Sequence, residues 1–390
     1  MLVRYYGHFQ VQSGYGHAAR ELAKALDAAD VNLELVTVGP RAPDWDPDES
    51  IGALFEPARD RPLGPWDPDV AIVHTLPGDC HRVLEAAGLT RGAGPKLIAY
   101  TTWEALTAPL EVVQPLYDCF DEVWTPSRAS ALALGENGEH GGPEDRAEAR
   151  LATHMIPHCY DELEVRPSGE NPNGRKFRFY WIGAWTARKN PAGLIRAFAH
   201  AFYPGADVEL VLHSPGLSLD TFVATLATTG LQQAELPPIV VSTQHLTWPS
   251  LLRFHAEADC FVSAARGEAW NLPAFDALLA GRHVITQYGL GSDEFLSDTS
   301  ADLVDGWESP AQVDVTMATS DGGEMTVRTV GAQGLTSRSL WLEPNLSSLA
   351  EAMRSAYENR KRTIKVNYDV AERFGYAAVA KQALELLETP

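Results

Sequence analysis

No stretch of this chain approaches the ~20 consecutive apolar residues that a membrane span needs. The opening Met1-Leu2-Val3-Arg4-Tyr5-Tyr6 reads as a strand rather than a secretory signal, because a polar, glycine-bearing loop follows at once. Cysteine is scarce: Cys80, Cys119, Cys159 and Cys260 are scattered, and no pair has metal or redox spacing. The expectation is reduced structural thiols and a cytoplasmic setting. Positive charge is also short, with 31 Lys and Arg against 52 Asp and Glu and a formal net charge of −21. That balance disfavours nucleic acid and anionic lipid as broad electrostatic partners, and leaves room only for a local basic patch. Repeats and low-complexity tracts are lacking. What is present is an ordinary apolar fraction with plentiful aromatics, as a packed protein requires. A chain of 390 residues is long enough for two domains.

Strand-like and helix-like runs alternate along most of the chain, which predicts parallel sheets covered by helices on both faces. In the first half the strands are expected at Leu2–Tyr6, Leu33–Val38, Val70–His74, Lys96–Thr101, Glu122–Thr125 and His154–Ile156. The clearest helix is Ala18–Ala29, with Ala19, Leu22, Leu26 and Ala29 on one face. The polar stretch Glu162–Lys176, with Pro167, Gly169, Pro172 and Gly174, reads as a linker between an N-terminal domain, 1–165, and a C-terminal domain, 177–365. The pattern then restarts. Strands are expected at Phe177–Ile182, Val208–His213, Ile239–Ser242, Asp259–Ala264 and His283–Thr286, and helices at Pro191–Ala201, Leu219–Thr229, Pro249–Ala256 and Pro273–Leu279. Gln312–Val330 alternates apolar and polar residues around Asp321-Gly322-Gly323 and reads as an inserted β-hairpin. Helices over Leu349–Asn359 and Val370–Leu387 close the chain. Two Rossmann-like units of this kind would face a central cleft lined by strand C-termini, where ligands bind.

Three segments carry chemistry. In Gly267-Glu268-Ala269-Trp270-Asn271-Leu272-Pro273-Ala274-Phe275-Asp276, two carboxylates stand eight positions apart. Glu268 falls on the loop leaving a buried strand, and Asp276 one turn into a helix. The N–H groups of Asn271 and Leu272 lie at the helix mouth. Carboxylates accept hydrogen bonds from sugar hydroxyls, and a helix N-terminus favours an anion. In Gly183-Ala184-Trp185-Thr186-Ala187-Arg188-Lys189-Asn190-Pro191, Asn190 reads as a helix cap and Pro191 as the first helical residue. Arg188 and Lys189 then stand where the helix dipole disfavours cations, which makes sense if an anion such as a diphosphate meets them. The bland alternative is a pair of solvated loop charges. Gly14-Tyr15-Gly16 with Ala19 and Glu34 matches a dinucleotide fingerprint on paper, but Gly7 to Ser13 separate it from its strand. It reads better as a flexible glycine loop that offers N–H groups to a phosphate or sugar.

Taken in order, Asp121-Glu122-Val123-Trp124-Thr125-Pro126-Ser127, Met155-Ile156-Pro157-His158, Arg188-Lys189-Asn190 after Ile182-Gly183, and Glu268 with Asp276 followed by Ala280-Gly281 resemble the family-4 retaining sugar-nucleotide glycosyltransferases of GT-B fold. The resemblance covers nearly the whole chain, and its last two motifs are the specific ones. It implies that Glu268 contacts hydroxyls of the transferred sugar, Asp276 binds the ribose, Lys189 neutralises the diphosphate, and Asn271 and Leu272 donate backbone N–H groups to it. Thr243, Gln244 and His245 fall where the family holds the base. Asp276 stands where the family usually has Glu, and Ala184 where it usually has Arg; Arg188 is the candidate replacement. The final helix is expected to return to the N-terminal domain.

Glu104, in Thr101-Thr102-Trp103-Glu104, is a candidate acceptor-binding or proton-handling carboxylate. His8, His17 and His74 rank lower, because a lone histidine is more often structural. No His/Asp cluster has metal spacing, and no metal cofactor is expected. The reading is a retaining transferase using a nucleotide-diphosphate sugar as co-substrate, with an acceptor and oligomeric state left open. A nucleotide-sugar epimerase, a non-catalytic sugar-nucleotide-binding subunit and a nucleic-acid-base glycosyltransferase share some of these features. The last would need a basic groove, and Arg354 to Lys365 is the only dense basic run.

Overall fold

The computed structural model describes residues 1–39, 68–136, 151–164, 175–318, 324–330, 339–359 and 368–388. The chain divides into two compact units. The first comprises Met1–Glu164, Ala332–Ser339 and Tyr368–Pro390; the second comprises Val165–Gly331 and Leu340–Asn367.

In the first unit six parallel strands, β1 (Leu2–Gly7), β2 (Asn32–Thr37), β3 (Val70–His74), β4 (Lys96–Tyr100), β5 (Glu122–Thr125) and β6 (Ala152–Met155), form one sheet in the order β2-β1-β3-β4-β5-β6. Val70–His74 is buried at every position, as a continuous apolar run in the middle of a parallel sheet should be. The helices are α1 (Gly14–Ala28), α2 (Cys80–Ala87), α3 (Leu110–Cys119) and α4 (Arg128–Ala131). Leu22 and Leu26 of α1 pack with Val3, Tyr5, Ile72 and Ile98 of the sheet. Val379, Ala383 and Leu387 complete the same core. The single closing helix expected over Val370–Leu387 is instead two, Tyr368–Phe374 and Tyr376–Leu387. Gly375 between them is extended (φ −66°, ψ 159°) and forms a β-bridge with Tyr160. The Glu162 carboxylate accepts from the N–H of Tyr376. An interruption that satisfies backbone groups on both sides costs little, and apolar periodicity does not reveal it.

The second unit repeats the pattern: β7 (Phe177–Ile182), α5 (Pro191–Ala201), β8 (Val208–His213), α6 (Leu219–Thr229), β9 (Ile239–Ser242), α7 (Trp248–Ala256), β10 (Cys260–Val262), α8 (Leu272–Leu279), β11 (His283–Gln287) and β12 (Ala301–Val304). The sheet order is β12-β11-β10-β7-β8-β9. The first strand of the unit, β7, thus lies between β8 on one side and β10 on the other, and the winding reverses there. Such a switch point is where the loops leaving two neighbouring strands part and leave room for a ligand. Phe179, Trp181, Leu210, Leu212 and Val262 build the core beneath it.

The expected hairpin is present as β14 (Gln312–Ala318) paired antiparallel with β15 (Glu324–Val330), Gln312 opposite Val330; its Asp321-Gly322-Gly323 turn lies outside the described residues. The hairpin is inserted between two strands that sequence reasoning missed, β13 (Gly306–Pro310) and β16 (Leu340–Pro344), which pair antiparallel as its stem. Gly306-Trp307-Glu308-Ser309-Pro310 carries no apolar alternation, so its pairing with β16 is a tertiary effect. Helix α9 (Leu346–Glu358) follows the stem, with Leu349 and Met353 in the core of the unit.

Candidate functional site

Two strand-to-helix turns flank the switch point of the second unit, and both end on a left-handed asparagine. After β7, the N–H of Gly183 donates to the His213 carbonyl at 3.1 Å. The turn ends at Asn190, which is left-handed (φ 52°) and whose side chain accepts from the N–H of Gly193 at 3.1 Å, with Pro191 opening α5. After β10, the turn ends at Asn271, again left-handed (φ 71°), with Leu272 and Pro273 opening α8. Asparagine tolerates this conformation better than other side chains, and proline loses nothing by lacking an N–H at a helix start.

These turns bring the predicted charges together. Glu268 is buried, 4% exposed. Lys189 Nζ donates to its Oε1 at 2.6 Å, and Arg188 Nη1 to its Oε2 at 3.3 Å. Arg188 Nη1 also donates to the Gly267 carbonyl at 2.6 Å. The anion that meets the two cations at the start of α5 is therefore the Glu268 carboxylate itself. At an effective dielectric constant of ~20 the attraction within such a pair is roughly 4 kcal/mol at 4 Å. Desolvating three charged groups offsets most of that. The cluster is thus a weak stabiliser, and its placement at the switch point points to use rather than to folding.

The surrounding polar atoms point the same way. Thr286 Oγ1, both amide atoms of Gln287, Ser292 Oγ, Asp293 Oδ1, Asn190 Nδ2 and Asn271 Nδ2 are buried with no hydrogen-bond partner among the described residues. Thr286 and Gln287 end β11. Ser292 and Asp293 belong to a turn whose Gly291 N–H donates to the Glu268 carbonyl at 2.9 Å. Each such orphaned atom costs about 1–3 kcal/mol, so a group of them at one set of loops suits a polar ligand or bound water. Burial pushes the Asp293 carboxyl up to about 6, against the N–H of Gly289, which donates to it. A β-carbon on Gly291 would collide with the Ala269 carbonyl, so only glycine lets this turn close on the acidic loop.

The remaining predicted residues are spread more widely. Asp276 is the fifth residue of α8 and is buried. Thr243, Gln244 and His245 are exposed on the loop leaving the edge strand β9, and the Thr243 carbonyl accepts from the N–H of Gly216. Gly14, Tyr15, Gly16 and Glu104 belong to the first unit. There the structure corrects one expectation: Gly14-Tyr15-Gly16 is the first turn of α1, not a flexible loop before it. Ser13 caps the helix four residues earlier than the apolar stripe suggested, accepting from the N–H of Gly16 at 3.1 Å. A β-carbon on Gly16 would meet the carbonyls of Val11 and His8, so the glycine serves packing. The Tyr15 hydroxyl bonds Thr102 at 2.6 Å. Burial raises its pKa, and the negative charge of Glu104 adds to the effect. Glu34 is ion-paired with Arg4 at 2.5 Å, so it is committed within the sheet rather than open to a dinucleotide ribose.

Three histidines of this unit, His8, His74 and His158, are held toward the neutral form by burial. His74 bonds the Tyr5 hydroxyl at 2.7 Å and stacks on Tyr100 with ring centroids 4.2 Å apart. Burial holds His74 well below the ordinary range and His158 down to about 3. His8, bonded to Thr75 at 2.7 Å, is lowered by burial as well. Among the described residues no cluster of three or more His, Cys, Asp or Glu could hold a metal ion, and no helix is long and apolar enough to cross a membrane.

Two six-stranded parallel α/β units, the second with a switch point between β7 and β10, define the GT-B fold. No family model matches the chain, and no curated protein matches it in sequence. Solved structures match in fold. HepE of Anabaena, in complex with UDP-glucose, superposes with a TM-score of 0.62 at 13% identity over 99% of both chains. The sucrose-phosphate synthase of Thermosynechococcus elongatus gives 0.65 at 14% identity, covering 99% of this chain and 98% of that one. The lipopolysaccharide outer core galactosyltransferase WaaB, in its apo form, gives 0.58 at 11% identity over 99% and 98%. At such identities the likeness is one of fold.

Proposed function

We propose that the protein is a retaining glycosyltransferase of the family-4 type that moves a sugar from a nucleotide-diphosphate donor to an acceptor hydroxyl, and that it works in the cytoplasm. The observation that carries the reading is Glu268 held by Lys189 and Arg188 where the turns after β7 and β10 meet. Fold neighbours crystallised with UDP and with UDP-glucose support it, as do the free cysteines.

In this reading the second unit takes the donor. Lys189 and Arg188 turn from Glu268 to the diphosphate oxygens, Lys189 as a compact charge and Arg188 as a fork. The N–H groups of Asn271 and Leu272 and the N-terminal end of α8 add to the grip on the anion. Because these groups supply the positive charge that the leaving group needs, no metal is assigned. Freed of its cations, Glu268 accepts hydrogen bonds from hydroxyls of the sugar, Asp276 does so from the ribose, and Thr243, Gln244 and His245 border the base. Gly183 keeps the backbone close to the donor. The first unit takes the acceptor, with Glu104 as its candidate contact, while Gly14, Tyr15 and Gly16 at the start of α1 are the candidates to offer N–H groups to a phosphate or sugar of the donor.

The bond from the anomeric carbon to the diphosphate oxygen breaks as the bond to the acceptor oxygen forms on the same face. The acceptor proton passes to the departing phosphate oxygen. Charge that develops on the diphosphate meets cations and dipoles already in place, which lowers the barrier without reorganisation.

A thermal-shift series over nucleoside diphosphates and their sugars tests the reading. A ligand at a hundred times its Kd stabilises the fold by about 2.7 kcal/mol. One base should stand out, and its effect should vanish in Lys189→Ala. A flat response to every nucleotide sugar would refute the proposal. Incubation with the selected sugar nucleotide alone separates transfer from epimerisation.

A further inference from the structure

We propose that Arg266 is the positioning residue that sets Glu268 against Lys189, and that it is anchored for this task by Glu343 in the stem of the inserted hairpin. Arg266 lies two residues before Glu268. Its own N–H donates to the Arg188 carbonyl at 2.7 Å, and its carbonyl accepts from the N–H of Leu342 at 2.9 Å. Its side chain reaches two further partners. Nη1 donates to the Ala187 carbonyl at 2.5 Å, while Nε and Nη2 grip the Glu343 carboxylate at 2.5 and 2.9 Å. The guanidinium also lies over the ring of Trp341, 5.7 Å from its centroid. One residue therefore joins three pieces of backbone: the turn that carries Arg188 and Lys189, the loop that carries Glu268, and strand β16.

A partly exposed Arg–Glu pair considered alone contributes little to stability and explains little. What distinguishes this one is its geometry. The planar guanidinium binds the carboxylate with two nitrogens while the third points at Ala187, which fixes the angle between β16 and the Lys189 turn. Lysine has the charge but a single nitrogen, so it cannot reproduce the planar two-nitrogen grip on Glu343 with a separate donor aimed at Ala187. Glu343 is itself fixed, since β16 pairs with β13 and Trp307 stands opposite it. A change in the stem is thereby passed to the spacing of Lys189 and Glu268, the two groups that the proposed transfer uses, one on the diphosphate and the other on the sugar.

The experiment has one arm that does not rest on the transferase reading. The chain has seven lysines, so reductive 13C-methylation gives few signals, and Lys189→Arg identifies the one from Lys189. Glu268→Gln then shows where that signal moves when the partner loses its charge. Glu343→Gln and Arg266→Lys, both at partly exposed positions and confirmed as folded by thermal melting, should move it in the same direction. A Lys189 signal that stays at its wild-type position in both, or that does not respond to Glu268→Gln, overturns the proposal. Should Arg266→Lys fail to fold, Glu343→Gln decides.

The second arm uses UDP-glucose as the probe donor. A displacement of about 1 Å at reacting groups costs on the order of 100-fold, so kcat should fall toward that extent in Arg266→Lys with the donor KM changed far less. Loss of both parameters together, or of neither, would speak against positioning. Absence of turnover in the wild type would count against the transferase reading or this donor, and the resonance arm alone would then judge Arg266.

Discussion

Glu268 combines near-complete burial with two cationic partners, and the two facts have different consequences. Burial means that its charge cannot be lost without leaving Lys189 poorly solvated; the pairing means that a neutral isostere still fills the space and keeps one hydrogen bond. Glu268→Gln should therefore remain folded, with a modest fall in melting temperature, while transfer drops by on the order of 100-fold or more, as the loss of an electrostatic group at the reacting centre does. Turnover and melting measured on one preparation check both halves. The buried histidines of the first unit give a prediction of another kind. The unfolded chain takes up a proton near pH 6.5, whereas folded His158 resists until about 3. Protons therefore favour the unfolded chain as the pH falls between those values, and the stability associated with neutral His158 is complete only above the upper one. The loss is roughly 1.4 kcal/mol per pH unit for each such histidine. Melting temperatures between pH 7.5 and pH 4.5 should show the decline, and His158→Gln should flatten it.

Asn190 and Asn271 show how much of the local architecture was legible beforehand and where legibility stopped. Asn-Pro at the end of a strand-and-loop run announces a helix start, and α5 begins at Pro191 where it was expected. The left-handed backbone of Asn190 separates two substitutions. Asn190→Ala loses the cap and strains the backbone, costing about 1–2 kcal/mol. Asn190→Gly loses the cap but accepts the conformation, so its cost should be clearly smaller; denaturant titration of both variants distinguishes them. β7, β8, β9 and α6 also lie where periodicity placed them, because buried parallel strands and amphipathic helices are local patterns. The start of α1 was not legible: a serine cap acting through Gly16 carries no apolar signal. Nor were β13 and β16, which pair over long separations, from Pro310 with Leu340 to Gly306 with Pro344. Arg188, Lys189 and Glu268 were identifiable by type and order, but their mutual ion pairs depend on how two loops meet. Gly291 could have been noticed only as one glycine among many. Gly291→Ala should destabilise the protein by about 1–3 kcal/mol, as overpacking against a backbone carbonyl does, and should weaken nucleotide binding along with it, in a calorimetric titration paired with melting.

The molecule carries a formal charge of −21, and self-repulsion of that size opposes compactness. Raising the salt concentration from 10 mM to 500 mM shortens the Debye length from roughly 30 Å to under 5 Å. The melting temperature should rise over this range, with vesicles of anionic lipid showing no binding at either end. A flat or falling curve would mean that attractive pairs such as Arg175–Asp259 outweigh the net repulsion. Composition disclosed this charge, and alternation disclosed the two α/β layers. The route of the chain between the units is a matter of tertiary packing, and it shapes how the protein is made. Val379, Ala383 and Leu387 share a core with Leu22 and Leu26, yet more than three hundred residues separate them. During translation the early segment must wait, its apolar surface uncovered, while the entire second unit emerges from the ribosome. The nascent first unit is thus the vulnerable partner, the one for chaperones to guard, and a premature stop codon near position 370 would leave it open however well the second unit had already folded.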